Sequence, residues 1–268
     1  MPPRLSPAHT WGASAIAAIV TLTGCGIEMR EGASTLTEAL SPPTPTQAAE
    51  RALSDNPDQR AQGTLLLANA PFGGGDPYIR MYEDYIDDPA PTVRAAATRA
   101  LGNHGEPRHA QMIAVNLKDP QKIVRLEAAR ALQRVHNPEM IEPLIWSLQR
   151  DNEQEVDVRA EVAQALGQYP DGRVLQQLIA ALGERQLRVT HSALASLRTL
   201  TGQDFGLDRR AWLSWVQESA NPFAARAAYV YPVYERDRTW LEFLPFVPPP
   251  PNEKAANPTG LDPDLSGR

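Results

Sequence analysis

Four segments of this chain align on one another: PTVRAAATRALG, KIVRLEAARALQ, VDVRAEVAQALG and LRVTHSALASLR. Their anchor valines are Val93, Val124, Val158 and Val189, spaced 31, 34 and 31 residues apart. The longer spacing coincides with an acidic loop, DNEQEVD, and a weaker copy, DQRAQGTLLLAN, comes earlier with Gln59 at the anchor. A repeat of this period constrains the fold more than any other feature. One unit cannot bury its own apolar face, so successive units must stack.

Counting from each anchor gives the local structure. Four residues on stand Ala97, Ala128, Val162 and Ala193; seven on, Ala100, Ala131, Ala165 and Ser196; eight on, Leu101, Leu132, Leu166 and Leu197. Offsets 0, 4, 7 and 8 share one face of an α-helix. The small residues allow neighbouring helices to approach, and Gly102 and Gly167 follow as expected at helix ends. Between these helices lies a second set: PRHAQMIAVNLKD, PEMIEPLIWSLQRD and DGRVLQQLIAALGE. Pro107 and Pro138 suit a first helical turn, where a missing N–H costs nothing. Pro143 fits only if its helix starts late or kinks.

The aspartate, then proline or a small residue, then Val-Arg opening the second helix, in DPAPTVRAAA and DPQKIVRLEA, resembles HEAT repeats. The likeness is to the short bacterial kind related to the repeats of phycobilisome lyases, and it covers roughly residues 47–218. It implies an all-α fold: a right-handed superhelical α-solenoid of about five HEAT-like helix pairs, with a proline-rich C-terminal tail. The segment LRTLTGQDFGLDRRAWLSWV looks like the closing segment of bacterial HEAT-repeat proteins. Trp212 and Trp215 share a side there and are read as a cap on the last core edge, with a Trp-lined ligand site as the alternative.

Arginine follows the anchor at Arg94, Arg125 and Arg159, with Arg60 in the weak copy, and Thr190 breaks the series. Five residues before each anchor stand Asp88, Asp119, Glu153 and Glu184. The HEAT resemblance implies that these acids and arginines form a structural ladder between repeats. Arg99 and Arg130, at offset 6, are expected on the concave side beside small residues such as Ala95, Ala129, Ala160 and Ala163. They are candidate contacts for an acidic peptide or other anionic partner, against the alternative of a solvated charged face.

The formal charge of -6 disfavours nucleic acid as a partner. Near the N-terminus the apolar run WGASAIAAIVTL, residues 11–22, is too short for a comfortable bilayer crossing but suits a secretory signal. It ends in LTGC, which resembles the lipobox of bacterial lipoproteins. The resemblance implies acylation of Cys25, the only cysteine, with cleavage just before it, and hence an exported, lipid-anchored protein of the bacterial envelope. Gly26 favours the outer membrane in a diderm. A free thiol or intermolecular disulfide is the alternative for a lone secreted cysteine.

The expected organisation is a lipoprotein signal peptide (1–24), a flexible spacer (25–46), the repeat domain (47–218), an aromatic segment packing on the repeats (219–247) and a disordered proline-rich tail (248–268). The aromatic segment gathers Tyr229, Tyr231, Tyr234, Trp240, Phe243 and Phe246, and a docking strip for a partner is the alternative to packing. No catalytic residue, metal site or cofactor is expected. His104, His109, His136 and His191 lack metal spacing, and PFGGGDP lacks the lysine of a phosphate loop and reads as a flexible connector. Paired His-Glu motifs are absent, which separates the chain from the HEAT-repeat metalloenzyme deoxyhypusine hydroxylase. The expected function is a non-enzymatic protein–protein scaffold or accessory subunit that binds a protein partner through its concave face and the membrane through Cys25. The alternatives are a lyase-like or other small-ligand-handling protein, and a purely structural envelope lipoprotein.

Overall fold

The computed structural model describes residues 44–233, 237–243 and 255–261. The signal peptide, Cys25 and most of the spacer lie outside these residues, as do Tyr234 and Phe246. Among the described residues there are eleven α-helices and no strand. They run as five pairs: α1 (Pro45–Ala52) with α2 (Pro57–Ala68), α3 (Asp76–Tyr85) with α4 (Pro91–His104), α5 (Ala110–Val115) with α6 (Lys122–Arg134), α7 (Ile141–Leu148) with α8 (Val156–Leu166), and α9 (Gly172–Ala181) with α10 (Leu187–Thr201). A closing helix, α11 (Arg209–Glu218), follows. The even-numbered helices, α2 to α10, pack on one another in sequence, far more intimately than the odd-numbered ones do. A stack tighter along one row curves toward it, so the even helices form the inner row of an α-solenoid.

Local chemistry sets the helix ends. Asn56 caps α2 by accepting from the Asp58 and Gln59 N–H groups, and Asp208 caps α11 through Arg210 and Ala211. Pro107 and Pro138 open short 3₁₀ turns, Pro107–His109 and Pro138–Met140, that run into α5 and α7. Pro143 is the third residue of α7, so it falls in the first turn and removes no intrahelical bond. Helix α10 ends at Gly202, whose φ of 67° lies in the left-handed region.

The repeat pattern becomes the core. All four anchor valines and the leucines eight residues on are fully buried. Two glycines mark where the inner helices touch. A Cβ on Gly102 would stand 2.7 Å from the Cα and Cβ of Ala131, and one on Gly167 would stand 2.7 Å from Ser196 Oγ. In both contacts, offset 9 of one repeat sits on offset 7 of the next. The alanines expected beside Arg99 and Arg130 on the concave side, Ala95, Ala129, Ala160 and Ala163, are buried and offer no open surface there.

The ends of the array differ from the compositional reading. PFGGGDP is no loose connector: Pro71–Gly74 form a 3₁₀ turn, and the Gly73 carbonyl accepts from the Tyr82 hydroxyl at 3.2 Å. Trp212 is fully buried, donates from Nε1 to the Gly206 carbonyl at 2.9 Å and meets the Phe205 ring edge-on at 5.0 Å. It covers the last core edge and presents no surface to a ligand. In the aromatic segment Tyr229 is buried, whereas Trp240 and Phe243 are exposed. The segment therefore packs at its start and not at these two rings. Residues 255–261, placed by composition in a disordered tail, are instead docked. The Thr259 N–H donates to the Arg134 carbonyl at 2.8 Å, and the His136 N–H donates to the Thr259 carbonyl at 2.9 Å. Proline and glycine content reports low intrinsic order, but it does not register backbone groups waiting elsewhere in the fold.

Replacing Gly102 with valine inserts three carbons where the neighbouring helix backbone lies. The expected cost is about 1–3 kcal/mol, read as a lower urea midpoint at unchanged slope; an unshifted midpoint would show that the inner row is not set by this contact.

Candidate interaction surface of the inner helices

The arginine after each anchor reaches forward to the acid that precedes the next inner helix. Arg60 Nη2 lies 3.0 Å from Asp88, Arg94 Nε 2.7 Å from Asp119, and Arg125 Nε 2.5 Å from Glu153; Arg159 pairs with Glu184. Each of the first three also donates backward from Nη1 to two carbonyls in the loop before its own helix. These are Ser54 and Asp55, Asp88 and Pro89, and Asp119 and Pro120. The acids have a second task. Asp88, Asp119 and Glu153 accept the N–H of Ala90, Gln121 and Glu155 and so hold the loop into the helix. Buried charges persist only when paired and hydrogen-bonded in this way.

The fourth rung differs. Arg159 Nη1 engages both Glu184 oxygens, while its buried Nε has no hydrogen-bond partner. It follows the longer acidic loop, so its surroundings depart from those of the other rungs. Thr190, where a fifth arginine would stand, turns its hydroxyl onto the Leu187 carbonyl of its own helix.

A second set of bonds ties the far ends of the inner helices together. Asn103 Nδ2 donates to the Ala68 carbonyl at 2.9 Å, and Gln168 Nε2 donates to Leu132 at 2.8 Å. Each amide, at offset 10, satisfies a carbonyl near the end of the preceding inner helix, where no intrahelical donor remains. The carboxamides at offset 10 are the only signal in the sequence for this role.

Arg99 and Arg130 are half-exposed, with side chains 33% and 40% accessible, and neither is a bare cation. Arg99 Nε donates to Asn69 Oδ1 at 3.2 Å, and its Nη1 lies 4.0 Å from Glu127. Arg130 stands 3.2 Å from Glu127 and 3.5 Å from Glu161. Glu161 in turn meets Arg188 at 3.2 Å; Arg188 meets Asp157, which also takes Lys122. The Lys122 bond is the chief cause that holds the Asp157 carboxyl below the usual range. The inner face is thus a row of alternating charges, and a ligand for the arginines must displace Glu127 and Glu161. Sequence reading missed these two glutamates. Their offset of 3, with arginine three residues further on in one copy, was the available signal.

Three of the histidines, His104, His109 and His136, make structural contacts, whereas His191 is exposed. His104 Nε2 donates to the Ala68 carbonyl at 2.9 Å. Nearly fully buried, His109 accepts the Glu106 N–H at Nδ1, which leaves its Nε2 to donate to Glu83 at 2.9 Å. His136 stacks on Tyr169 at 4.9 Å and faces Gln168 Oε1 at 2.9 Å. Because Gln168 Nε2 already donates to two carbonyls, His136 Nδ1 carries the proton. Burial pushes the pKa of His104 and of His136 below the ordinary imidazole value. No group of three or more metal-ligating side chains occurs among the described residues. A cavity of about 310 Å³ opens at the repeat loops, walled by His136, Ile141, Tyr169, Leu200, Tyr229 and Leu261.

Two outcomes follow from this chemistry. Arg125→Met leaves Glu153, 3% accessible, without its cation; it should cost about 3 kcal/mol, and adding Glu153→Gln should restore part of that. Equal losses in the single and double variants would deny the coupling. The second concerns pH. The folded state keeps His104 and His136 neutral, whereas the unfolded chain protonates near the ordinary value of about 6.5. Stability is therefore full above that value and falls as pH drops through it toward the lowered folded values. Denaturation at pH 7.5 and 5.5 should show the loss, and His104→Asn/His136→Asn should flatten it.

A family model of HEAT repeats matches residues 79–157 and, overlapping, 111–198. No curated protein matches the chain significantly. The matched stretch runs from α3 to α10 and contains the three rungs that start at Arg94, Arg125 and Arg159. HEAT repeats are typically non-catalytic helical scaffolds that mediate protein–protein interaction. The sequence period, the helix pairs and this match agree in placing HEAT repeats at residues 79–198.

Proposed function

We propose that the chain is a non-enzymatic scaffold or accessory subunit of a bacterial envelope complex, anchored to the membrane by lipid on Cys25. The observation that carries the reading is the HEAT array over residues 79–198. Its inner face supports a protein partner. A row in which half-exposed arginines alternate with the largely buried Glu127 and Glu161 recognises a complementary row by exchanging ion pairs, which favours register and fast encounter over raw affinity. Arg99 and Arg130 are the proposed partner contacts, with Glu127 and Glu161 as the charges that keep the face closed to the wrong partner. The anchor rests on LTGC at the end of an apolar run, and Gly26 favours the outer membrane in a diderm.

One observation favours a second reading, a small-ligand-handling protein of the lyase-like kind: the cavity beside His136 and Tyr169. It is mostly apolar with few polar groups, as small-molecule sites are.

Crosslinked pull-down from solubilised membranes of the native host tests the first reading, with wild type, Arg99→Glu/Arg130→Glu and Cys25→Ser compared. A defined protein should co-purify with wild type and be lost from the double variant, and Cys25→Ser should leave the membrane fraction. If no protein partner is captured with wild type, the scaffold reading fails. Membrane retention of Cys25→Ser removes the anchor.

A further inference from the structure

The chain after α11 doubles back along one edge of the array. The Ala227 N–H donates to the Thr199 carbonyl at 2.8 Å, and the Tyr231 N–H donates to Ala256 at 3.2 Å. Residues 258–261 then lie against the end of α6. Thr259 forms a parallel bridge with Val135, bonded on one side to the Arg134 carbonyl and on the other to the His136 N–H. Pro258 is buried. Gly260 has φ 86°, and a Cβ there would lie 2.3 Å from Pro107 Cγ and 3.1 Å from the His136 carbonyl. Leu261 forms part of the cavity wall with His136 and Tyr169. This is a single parallel β-bridge with side-chain anchors, the main-chain pairing by which folded domains read extended peptides.

The slot belongs to one repeat. At the position of His136, twelve residues past the anchor, the preceding repeat has Gly105, whose N–H is taken by the Leu101 carbonyl at 2.8 Å. The following repeat has Pro170, which has no N–H. Of these three repeats only that of His136 offers this donor to an incoming segment. The seated segment also fits imperfectly. With Leu261 in place the cavity still measures about 310 Å³, room for a larger apolar side chain. Filling apolar space is favourable in proportion to the area removed from water.

We propose that this slot recognises an extended segment of a partner protein with the pattern Pro-x-Gly-aromatic, and that residues 258–261 fill it in cis as a weaker competitor. Proline fills the buried position of Pro258, glycine is required where a side chain meets Pro107, and the aromatic ring enters the cavity that leucine leaves partly empty. The cis segment acts at the high effective concentration of a tethered ligand, on the order of millimolar. It therefore excludes weak extended segments and yields to one with the larger anchor. The proposal rests on the scaffold reading for its partner, but the slot is measured without one.

Full-length Gly260→Val keeps the chain intact and expels its own segment. Fluorescence anisotropy with labelled peptides AANPTGL, AANPTGF and AANPTVF reads the slot directly. AANPTGF should bind Gly260→Val at least tenfold more tightly than AANPTGL does and at least tenfold more tightly than it binds wild type. AANPTVF should not bind. Thr259→Pro, which removes the N–H given to Arg134, should open the slot in the same way and carries the test if Gly260→Val does not fold. Equal binding of AANPTGF to wild type and both variants, or binding to none, overturns the proposal. Sedimentation of wild type as a dimer that Gly260→Val abolishes would assign the slot to a second copy and also overturn it. Peptide failure beside a successful pull-down sinks the slot alone; a failed pull-down beside peptide binding sinks the inner-face reading alone.

Discussion

The contact on which everything else depends is the close approach of successive inner helices through residues with little or no side chain. Gly102 on Ala131 and Gly167 on Ser196 bring helix backbones together at one register. That register places each post-anchor arginine within reach of the next acid. It also places the offset-10 amides within reach of the preceding helix. Larger residues at offsets 7 and 9 would move both sets of polar groups apart and leave charges buried without partners. Packing thus comes first, and the ion pairs are affordable only because of it.

Where glycine is absent at offset 9, the chain solves the same problem with a hydrogen bond. Gln133 Nε2 reaches the Glu161 carbonyl at 3.0 Å and the Glu161 carboxylate at 2.9 Å. Glu161 therefore serves the interior and the inner face together. It binds Gln133 with one oxygen, and Arg130 and Arg188 with the other. A partner that pulls on the charged row pulls on a group that also joins two helices, so binding on the inner face and the stacking of repeats share a side chain.

The helix pairs, the buried stripe and the cap were legible because they depend on periodicity within one segment. Offsets 0, 4, 7 and 8 predicted burial, and Val93, Ala97, Ala100 and Leu101 lie fully inside. Contacts between repeats were less legible. Arg99 and Arg130 looked like a free pair because their neutralising glutamates lie on their own and the next helix at an offset that only two copies fill. The docked segment 258–261 was illegible for a different reason. Its composition marks a chain with little order of its own, and the order is supplied by the Arg134 carbonyl and the His136 N–H, more than 120 residues away. Arg159 followed the pattern in sequence, yet the longer loop before it left its Nε unbonded.

The ladder has a direction. Each rung joins an arginine of one repeat to an acid of the next, so a repeat carries a cationic end and an anionic end, like a unit with unlike couplings. A stack built this way admits units in one orientation only, because reversing one would set arginine against arginine at one joint and acid against acid at the other. It also has a written stop. At Thr190 the forward coupling is missing, its hydroxyl folded onto its own helix, and the next element is the Trp212 helix, which brings a hydrophobic lid. The end of the ladder is therefore marked by one side chain at the last position.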